Sequence, residues 1–426
     1  MISVVLSIGH GRLHLVTSAQ WLEKVGIRVS LICGWVPRNA KSFLVCVCSR
    51  IVGRDLSYGM AKRQIASDSI VVCSCAGAEF FNVALGLIER RFPKLCRPLA
   101  GIGWRFFGFV SRRYIRNAEI FHCRSGAGRG GAIAAAKRRG MKVVVDHSIA
   151  HPAFLEKQLR SEYEKNGVAF DLGLDSPFWR QVVRDCEDAD IVQVNSYFVR
   201  DTFVNEGFDP EKIRVVYLGE REDFFGLRQP KSDNSAPLKL LFTGGFGFRK
   251  GGEYILEACK TLKERGVAYA LDVVGDASGA AGMIARYEQY DLPITFHGPK
   301  PQDKLKSFLA NGDIYVFPSL AEGCAQSGME AMAAGMCVVG TCESGFPITD
   351  GEDGYIVPSK DAKAIADRIE WLAKNREEID RTGKNAAKLI RENYTWEKYA
   401  ENVKRIYEEL VGDTLSNSNQ LLIKQA

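Results

Sequence analysis

Histidine is scarce in this sequence, with six residues among 426. None sits in a Cys/His cluster with zinc-ligand spacing, which argues against a structural metal site. No apolar run reaches the roughly 18–20 residues that a bilayer-spanning helix requires. The opening segment, MISVVLSIGHGRLH, has a short apolar run with no basic stretch before it. It reads as a first β-strand rather than a signal peptide, which predicts a cytoplasmic protein. Internal repeats are absent. Acidic residues are few in the first third. Residues 1–150 hold 7 Asp/Glu against 23 Lys/Arg, a balance of +16, whereas residues 151–426 hold 44 against 34, a balance of −10. A basic first part favours an acidic partner, such as a membrane surface or a phosphate-bearing acceptor. No recognition motif for nucleic acid accompanies the charge, which argues against that partner.

What is present fits a soluble globular chain: 46% hydrophobic and 25% charged residues. The length suits two domains of about 200 residues each. Twelve cysteines occur, but Cys46/Cys48 and Cys73/Cys75 alternate inside apolar runs, as same-face residues of a strand do. They read as buried thiols of a reducing compartment. Apolar runs predict strands at 2–8, 28–33, 69–75, 142–146 and 191–195, then at 238–243, 271–275, 294–297, 314–318, 337–340 and 355–357. Helical spacing appears at 15–25, 155–165, 252–265 and 361–375, with Asp361 placed to cap the last of these. Strand–helix alternation predicts an α/β protein with parallel sheets. The polar stretch 228–237 (RQPKSDNSAP) reads as a linker between domains spanning 1–227 and 238–395. A helix at 396–412 with an apolar stripe (Trp396, Tyr399, Val403, Ile406, Tyr407) and a loosely ordered tail at 413–426 complete the reading.

Two segments carry chemistry. The first is FTGGFGFRKGG, residues 242–252. Its glycines follow a strand and precede a helix, with Arg249 and Lys250 just ahead of the helix. Glycines let backbone N–H groups approach an anion, and the helix start and two cations add positive charge. A diphosphate is the natural guest, although a flexible turn with two solvated cations would look the same. The spacing G-x-x-x-x-G-K-[ST] is missing, so this is not a nucleoside-triphosphate loop. The second is residues 314–340, in which Glu322 follows a strand and Glu330 falls in the first turn of a small-residue helix at 328–334. A carboxylate there can accept hydrogen bonds from two neighbouring ribose hydroxyls, or it can merely face water at a helix start.

The pattern P-S-x-x-E-G-x-x-x-x-x-x-E-A-M-A-x-G-x-x-V-V from Pro318, followed by G-x-P and D-G-x-x-V-P, resembles the donor-site signature of retaining glycosyltransferase family 4. The resemblance implies the GT-B architecture, two Rossmann-like domains facing across a cleft. It is close from about Leu238 to Trp396. It implies that Glu330 binds the donor ribose, that Glu322 lies beside the transferred sugar, and that Arg249 and Lys250 hold the diphosphate. Gly244 and Gly245 would line the phosphate turn, and Gly323, Cys324 and Ser327 would contact the sugar and phosphate. Family members often carry Arg where Gly245 stands, which leaves Arg249 as the substitute, and often Phe where Cys324 stands. Met336–Cys337 replaces a common pair ending in proline.

In the first half the resemblance is weaker. KVVVDHSIAHP (142–152) places His147 after a strand, where members often carry a histidine that touches the donor sugar. A sub-group has Asp followed five residues later by His, here Asp146 and His151. The loop with Gly9 and Gly11 would form the third part of the cleft. The resemblance also implies retention of configuration, no cofactor and no metal. The triplet Asp188-Ala-Asp190 reads as part of a solvated helical acidic run rather than a metal site. The expected partners are a nucleotide-sugar donor and a carbohydrate or lipid-linked saccharide acceptor. The segment from Arg90 to Arg116 holds eight basic and no acidic residues with Trp104, Phe106, Phe107 and Phe109 interleaved. That composition fits contact with an anionic membrane. The rival readings are an epimerase or hydrolase acting on the donor alone, and a nucleotide-sugar-binding protein without turnover.

Overall fold

The computed structural model describes every residue except 11–13, 38–41, 53–56, 62–64, 66, 68, 93–100, 171, 230–235 and 424–426. Two parallel sheets organise it. The first runs β3-β2-β1-β4-β5-β6-β7 and the second β10-β9-β8-β11-β12-β13. In the first, β1 is Ser3–Ser7, β2 Arg28–Cys33, β3 Val71–Ser74, β4 Ile120–Arg124, β5 Lys142–His147, β6 Ile191–Val194 and β7 Ile213–Val215. In the second, β8 is Leu238–Thr243, β9 Tyr269–Val274, β10 Ile294–Phe296, β11 Ile314–Phe317, β12 Cys337–Gly340 and β13 Tyr355–Ile356. All four residues of β6, β11 and β12 are buried, as strands covered on both faces require. In both sheets the strand order reverses beside the first strand, between β1 and β4 and between β8 and β11. Ligands of open α/β sheets settle at the carboxyl ends of strands at such a point.

The longer helices are α1 (His14–Lys24), α2 (Phe43–Val52), α3 (Ala76–Arg91), α4 (Ile102–Ser111), α5 (Ala132–Lys137), α6 (Pro152–Lys165), α7 (Pro177–Glu187) and α8 (Tyr197–Asn205). They continue with α9 (Gly252–Glu264), α10 (Gln302–Asn311), α11 (Gln326–Ala334), α12 (Ala362–Lys374), α13 (Arg376–Asn393) and α14 (Trp396–Ile423). α9 buries Ile255, Leu256, Ala258, Cys259 and Leu262 on one face against the second sheet. Asp361 caps α12 by accepting from the Ala364 N–H at 2.8 Å. α14 lays Trp396, Tyr399, Val403 and Tyr407 into the core of the first sheet. There the Tyr407 hydroxyl lies 2.7 Å from Nδ1 of the buried His122.

The chain passes between the sheets twice at one spot. The Glu220 N–H donates to the Tyr394 carbonyl at 2.7 Å. Gly219 permits the approach, since a Cβ there would lie 2.3 Å from the Trp396 nitrogen.

Several expectations need correction. The apolar run around Cys46 and Cys48 is the helix α2, not a strand. An uninterrupted apolar run has no polar alternation to fix a period of two, and Cys46 is exposed. Strands β4 and β7 lie outside the strands that the apolar runs predict. Asp188 and Asp190 lie just past the helix rather than in it, since α7 ends at Glu187, and only Asp188 is exposed. Asp188 pairs with Arg129, and Asp190 accepts from the Val143 N–H at 2.7 Å. The final helix continues through the expected tail to Ile423. Most of the expected linker, 230–235, lies outside the described residues, but Arg228 is anchored. Its side chain reaches Asp380 at 2.7 Å and Asp313 at 3.6 Å, and its Nε donates to the Gly312 carbonyl at 3.1 Å. The Arg228 and Asp313 side chains are 5% and 4% exposed, so removing one charge strands the other. Arg228→Ala should lower unfolding free energy by about 3 kcal/mol, read as a shift in the urea midpoint.

Candidate functional site

Loops after β8 and β11 meet at the switch point of the second sheet. Tyr315 on β11 joins them from below: its hydroxyl lies 3.1 Å from Thr243 Oγ1 and donates to Ser327 Oγ at 2.8 Å. The Arg249 carbonyl accepts from the Leu320 N–H at 2.8 Å and from Ser319 Oγ at 3.0 Å. Gly251 makes this approach possible, because a Cβ there would meet the Pro318 carbonyl at 2.0 Å. The loop after β12 props the second loop, as the Glu343 carbonyl accepts from the Glu322 N–H at 2.9 Å.

These backbone ties converge three charges. Arg249 Nη1 donates to the Ala321 carbonyl at 2.9 Å and lies 2.6 Å from Glu322 Oε1. Lys250 Nζ is 3.6 Å from the same oxygen and 5.0 Å from the centre of the Phe317 ring. That carboxylate oxygen is buried between the two cations. Burial pulls the Lys250 pKa below its ordinary value, with Glu322 opposing the shift. Gly244, at φ +115°, leaves room for Lys250, whose Nζ would be 2.8 Å from a Cβ. Gly245 faces open space, the nearest atom to a Cβ being the Asp276 carbonyl at 3.9 Å. Cys324 is buried, and burial raises its thiol pKa far above the ordinary value.

Glu330 lies in the second turn of α11, not the first as the sequence suggested, because the helix begins at Gln326. Burial pushes its pKa up to about 7, with Arg221 lowering it and Asp223 raising it. Gln326 and Glu330 are four apart and share a helix face. The Gln326 side-chain amide donates to Glu220 Oε2 at 2.6 Å and to the Gly219 carbonyl at 3.3 Å. Glu220 is 4% exposed, and burial pushes its pKa to about 8. The start of α11 is thus tied to the spot where the chain changes sheets. Sequence reasoning missed both Glu220 and Gln326. Glu220 sits in an acid-rich stretch with no spacing to mark it.

The first sheet approaches from the other side. Ser196 Oγ donates to the Gly323 carbonyl at 2.6 Å. A Cβ on Gly323 would meet the Ser148 carbonyl at 2.2 Å and Asn195 Oδ1 at 2.5 Å. His147 is the residue before Ser148. Its Nδ1 lies 2.9 Å from Ser125 Oγ, and its buried Nε2 has no hydrogen-bond partner. Burial, with Arg124 and His151 adding to it, lowers its pKa to about 3. His151 caps α6 by accepting from the Ala153 N–H at 3.2 Å, and its ring packs on Phe203 and Phe208. Burial lowers its pKa to about 4, so both imidazoles are neutral near pH 7. Asp146 is held at about 2, against its burial, chiefly by His14 and then Arg124. Gly9, at φ +77°, packs beneath Trp104, where a Cβ would be 2.2 Å from the ring. Gly11 lies outside the described residues. A second junction links α6 with the second sheet's helices: Glu162 Oε1 accepts from the Tyr254 hydroxyl at 2.9 Å and lies 3.3 Å from Lys360 Nζ.

Comparison with known proteins bears on the fold. Residues 224–389 match the family described as Glycosyl transferases group 1, and residues 12–220 match Glycosyltransferase Family 4. The chain is 34% identical over 173 residues to WcaL of Salmonella typhimurium, named as a colanic acid biosynthesis glycosyltransferase. That match covers 38% of this chain and 42% of the relative, so the chain spans about two fifths of that relative's length. Among solved structures, sucrose-phosphate synthase from Thermosynechococcus elongatus aligns with a TM-score of 0.66 at 16% identity, over 97% of this chain and 100% of that one. HepE of Anabaena, solved with UDP and glucose, aligns with a TM-score of 0.60 at 12% identity, over 96% and 100%. The architecture is GT-B, and the two family matches support a glycosyltransferase of that fold.

Proposed function

We propose that this chain transfers a hexose-type sugar from a UDP or GDP sugar to a carbohydrate or lipid-linked saccharide acceptor, in the synthesis of a surface polysaccharide or glycolipid. The observation that carries this is the meeting of Arg249, Lys250 and Glu322 at the switch point of the second sheet, beside the start of α9. Departure of the nucleoside diphosphate is the hard step, because charge grows on its oxygens as the sugar becomes cationic. Arg249 and Lys250 are fixed in advance where that charge develops. Glu322 then gives up Arg249 to the phosphates and accepts from a sugar hydroxyl. Neutral His147 contacts the sugar from the first sheet, with His151 as the alternative. Glu330 accepts from the ribose hydroxyls, and the backbone and side chains at Gly244, Gly245, Gly323, Cys324 and Ser327 surround the diphosphate and sugar. Transfer retains configuration and uses neither metal nor cofactor. The UDP bound in HepE favours a uridine donor over guanosine, and the name of WcaL favours a polysaccharide acceptor. The work would be done in the cytoplasm, at the inner face of the membrane that holds the acceptor.

Thermal shift tests the donor site. One nucleotide from UDP, GDP, ADP and CMP should stabilise the protein by about 2.7 kcal/mol at a hundred times its dissociation constant, and Glu330→Ala should abolish the shift. A carboxylate accepts two hydroxyls better than a carboxyl does. Because the Glu330 pKa is raised to about 7, affinity should strengthen as pH rises from about 6 to about 8 more steeply than in Glu330→Gln, where only the nucleotide's own terminal phosphate still titrates. If no nucleotide moves the wild type, the reading of this site fails.

A further inference from the structure

α4 is apolar on two sides. One side faces inward: Phe107 is fully buried, and Gly108 packs so closely that a Cβ would meet the Arg129 carbonyl at 1.7 Å. The other side carries Ile102, Phe106 and Phe109 at steps of four and three, exposed by 38, 38 and 54%. A helix apolar on all sides normally lies inside a protein. Neighbouring α3 repeats the pattern, with Phe80, Phe81, Leu87 and Ile88 exposed along a little over two turns. The rings of Phe81 and Phe106 meet edge-on at 5.0 Å, so the two helices present one continuous patch. Such patches on an otherwise ordinary surface mark an interaction site.

The charge around the patch selects the partner. Arg91, Arg105, Arg113 and Arg116 are exposed beside it, and the Arg112 guanidinium stacks 4.1 Å over the Phe109 ring. Glu89 is an exposed carboxylate at its border. Rings ready to leave water, bordered by guanidinium groups that pair with phosphates, match the boundary between headgroups and acyl chains of an anionic bilayer. No helix among the described residues is long and apolar enough to cross a membrane.

We propose that the surface of α3 and α4 docks on an anionic lipid bilayer by inserting Phe80, Phe81, Phe106 and Phe109, rather than by charge alone. The helix is rigidly mounted, since Gly130 also touches it closely: a Cβ there would lie 2.0 Å from the Arg105 carbonyl. Its inner side touches the loop after β1. Trp104 covers Gly9, and the His10 ring lies 5.2 Å from Trp104 with Nε2 3.1 Å from the Gly103 carbonyl. That loop stands at the switch point of the first sheet, so docking sets the first sheet's side of the cleft against the bilayer. The proposal stands on exposure and charge and does not depend on the sugar-transfer reading.

Flotation of the full chain with vesicles tests it, comparing phosphatidylcholine alone with vesicles containing about one-third phosphatidylglycerol. The wild type should float with the anionic vesicles only. Phe106→Ser with Phe109→Ser should weaken binding by about tenfold or more, at low and high salt alike. Arg105→Ala with Arg116→Ala should weaken it by about tenfold at low salt. Phe80→Ser with Ile88→Ser is a second variant of the apolar face, used if the first melts early. Wild type that stays with the soluble fraction overturns the proposal. So does an aromatic variant that floats like the wild type, or one whose only change is the loss of self-association, which would make the patch a protein contact.

Discussion

Arg249→Ala should lower kcat/KM for sugar transfer by about a thousandfold, the range seen when one preorganised charge donor is removed from a reacting centre. Two features of the site set this size. Arg249 lies at the head of α9 with its backbone held by Ser319 and Leu320, so its side chain starts from a fixed anchor and only its contact with Glu322 has to change for it to serve a diphosphate. Gly245 leaves open space, so no second arginine occupies the place where the family often carries one. Arg249→Lys should recover little. A lysine cannot hold the Ala321 carbonyl and a phosphate at once with the planar fork that arginine offers. Lys250 keeps one charge in the site, which sets a floor under the loss. The loss should fall mainly on kcat, since the charge it serves develops in the transition state. A double-mutant cycle with Glu322→Gln should be non-additive, because the two side chains lie 2.6 Å apart. A loss of less than about tenfold in Arg249→Ala would remove it from the leaving-group role.

Gly323→Ala should reduce kcat by about a hundredfold while leaving nucleotide affinity nearly unchanged. The added methyl has nowhere to go. It would lie 2.2 Å from the Ser148 carbonyl and 2.5 Å from Asn195 Oδ1, and the first of these is backbone that cannot swing aside. The sheets must separate by about an ångström, and misplacement on that scale costs about a hundredfold in reactions that depend on alignment. Nucleotide binding is largely spared because the added methyl points at the first sheet, away from Glu330, Arg249 and Lys250, which lie on the helix and turn of the second half. Isothermal titration with the nucleotide and steady-state kinetics on one preparation separate the two effects. Equal loss of affinity and turnover would mean that the change disrupts the donor loop itself, not the fit between sheets.

The second half was largely legible because its signals are local. β8, β11, β12 and α9 each announce themselves by the period of their apolar residues, and glycines between a strand and a helix mark a turn that backbone must approach closely. Arg249, Lys250, Glu322 and Glu330 stood out by their spacing around those elements. Tertiary structure decided what depends on residues far apart in the chain. Glu220 is buried where Gln326 and Tyr394, 106 and 174 residues away, bond to its carboxylate and its N–H. Arg228 reads as linker until Asp313 and Asp380 surround it. The run at Phe43–Val52 is apolar without a period, so its packing chose helix over strand. Gly323 looks like any loop glycine until Ser148 arrives from the other sheet. The sequence by itself determined the two-sheet fold and the positively charged turn after β8, because these follow from local conformational preference and burial pattern. Only the folded chain decided which carboxylates are buried, how closely the two sheets meet and which aromatic face is left in water, because each of these is set by contacts between distant segments.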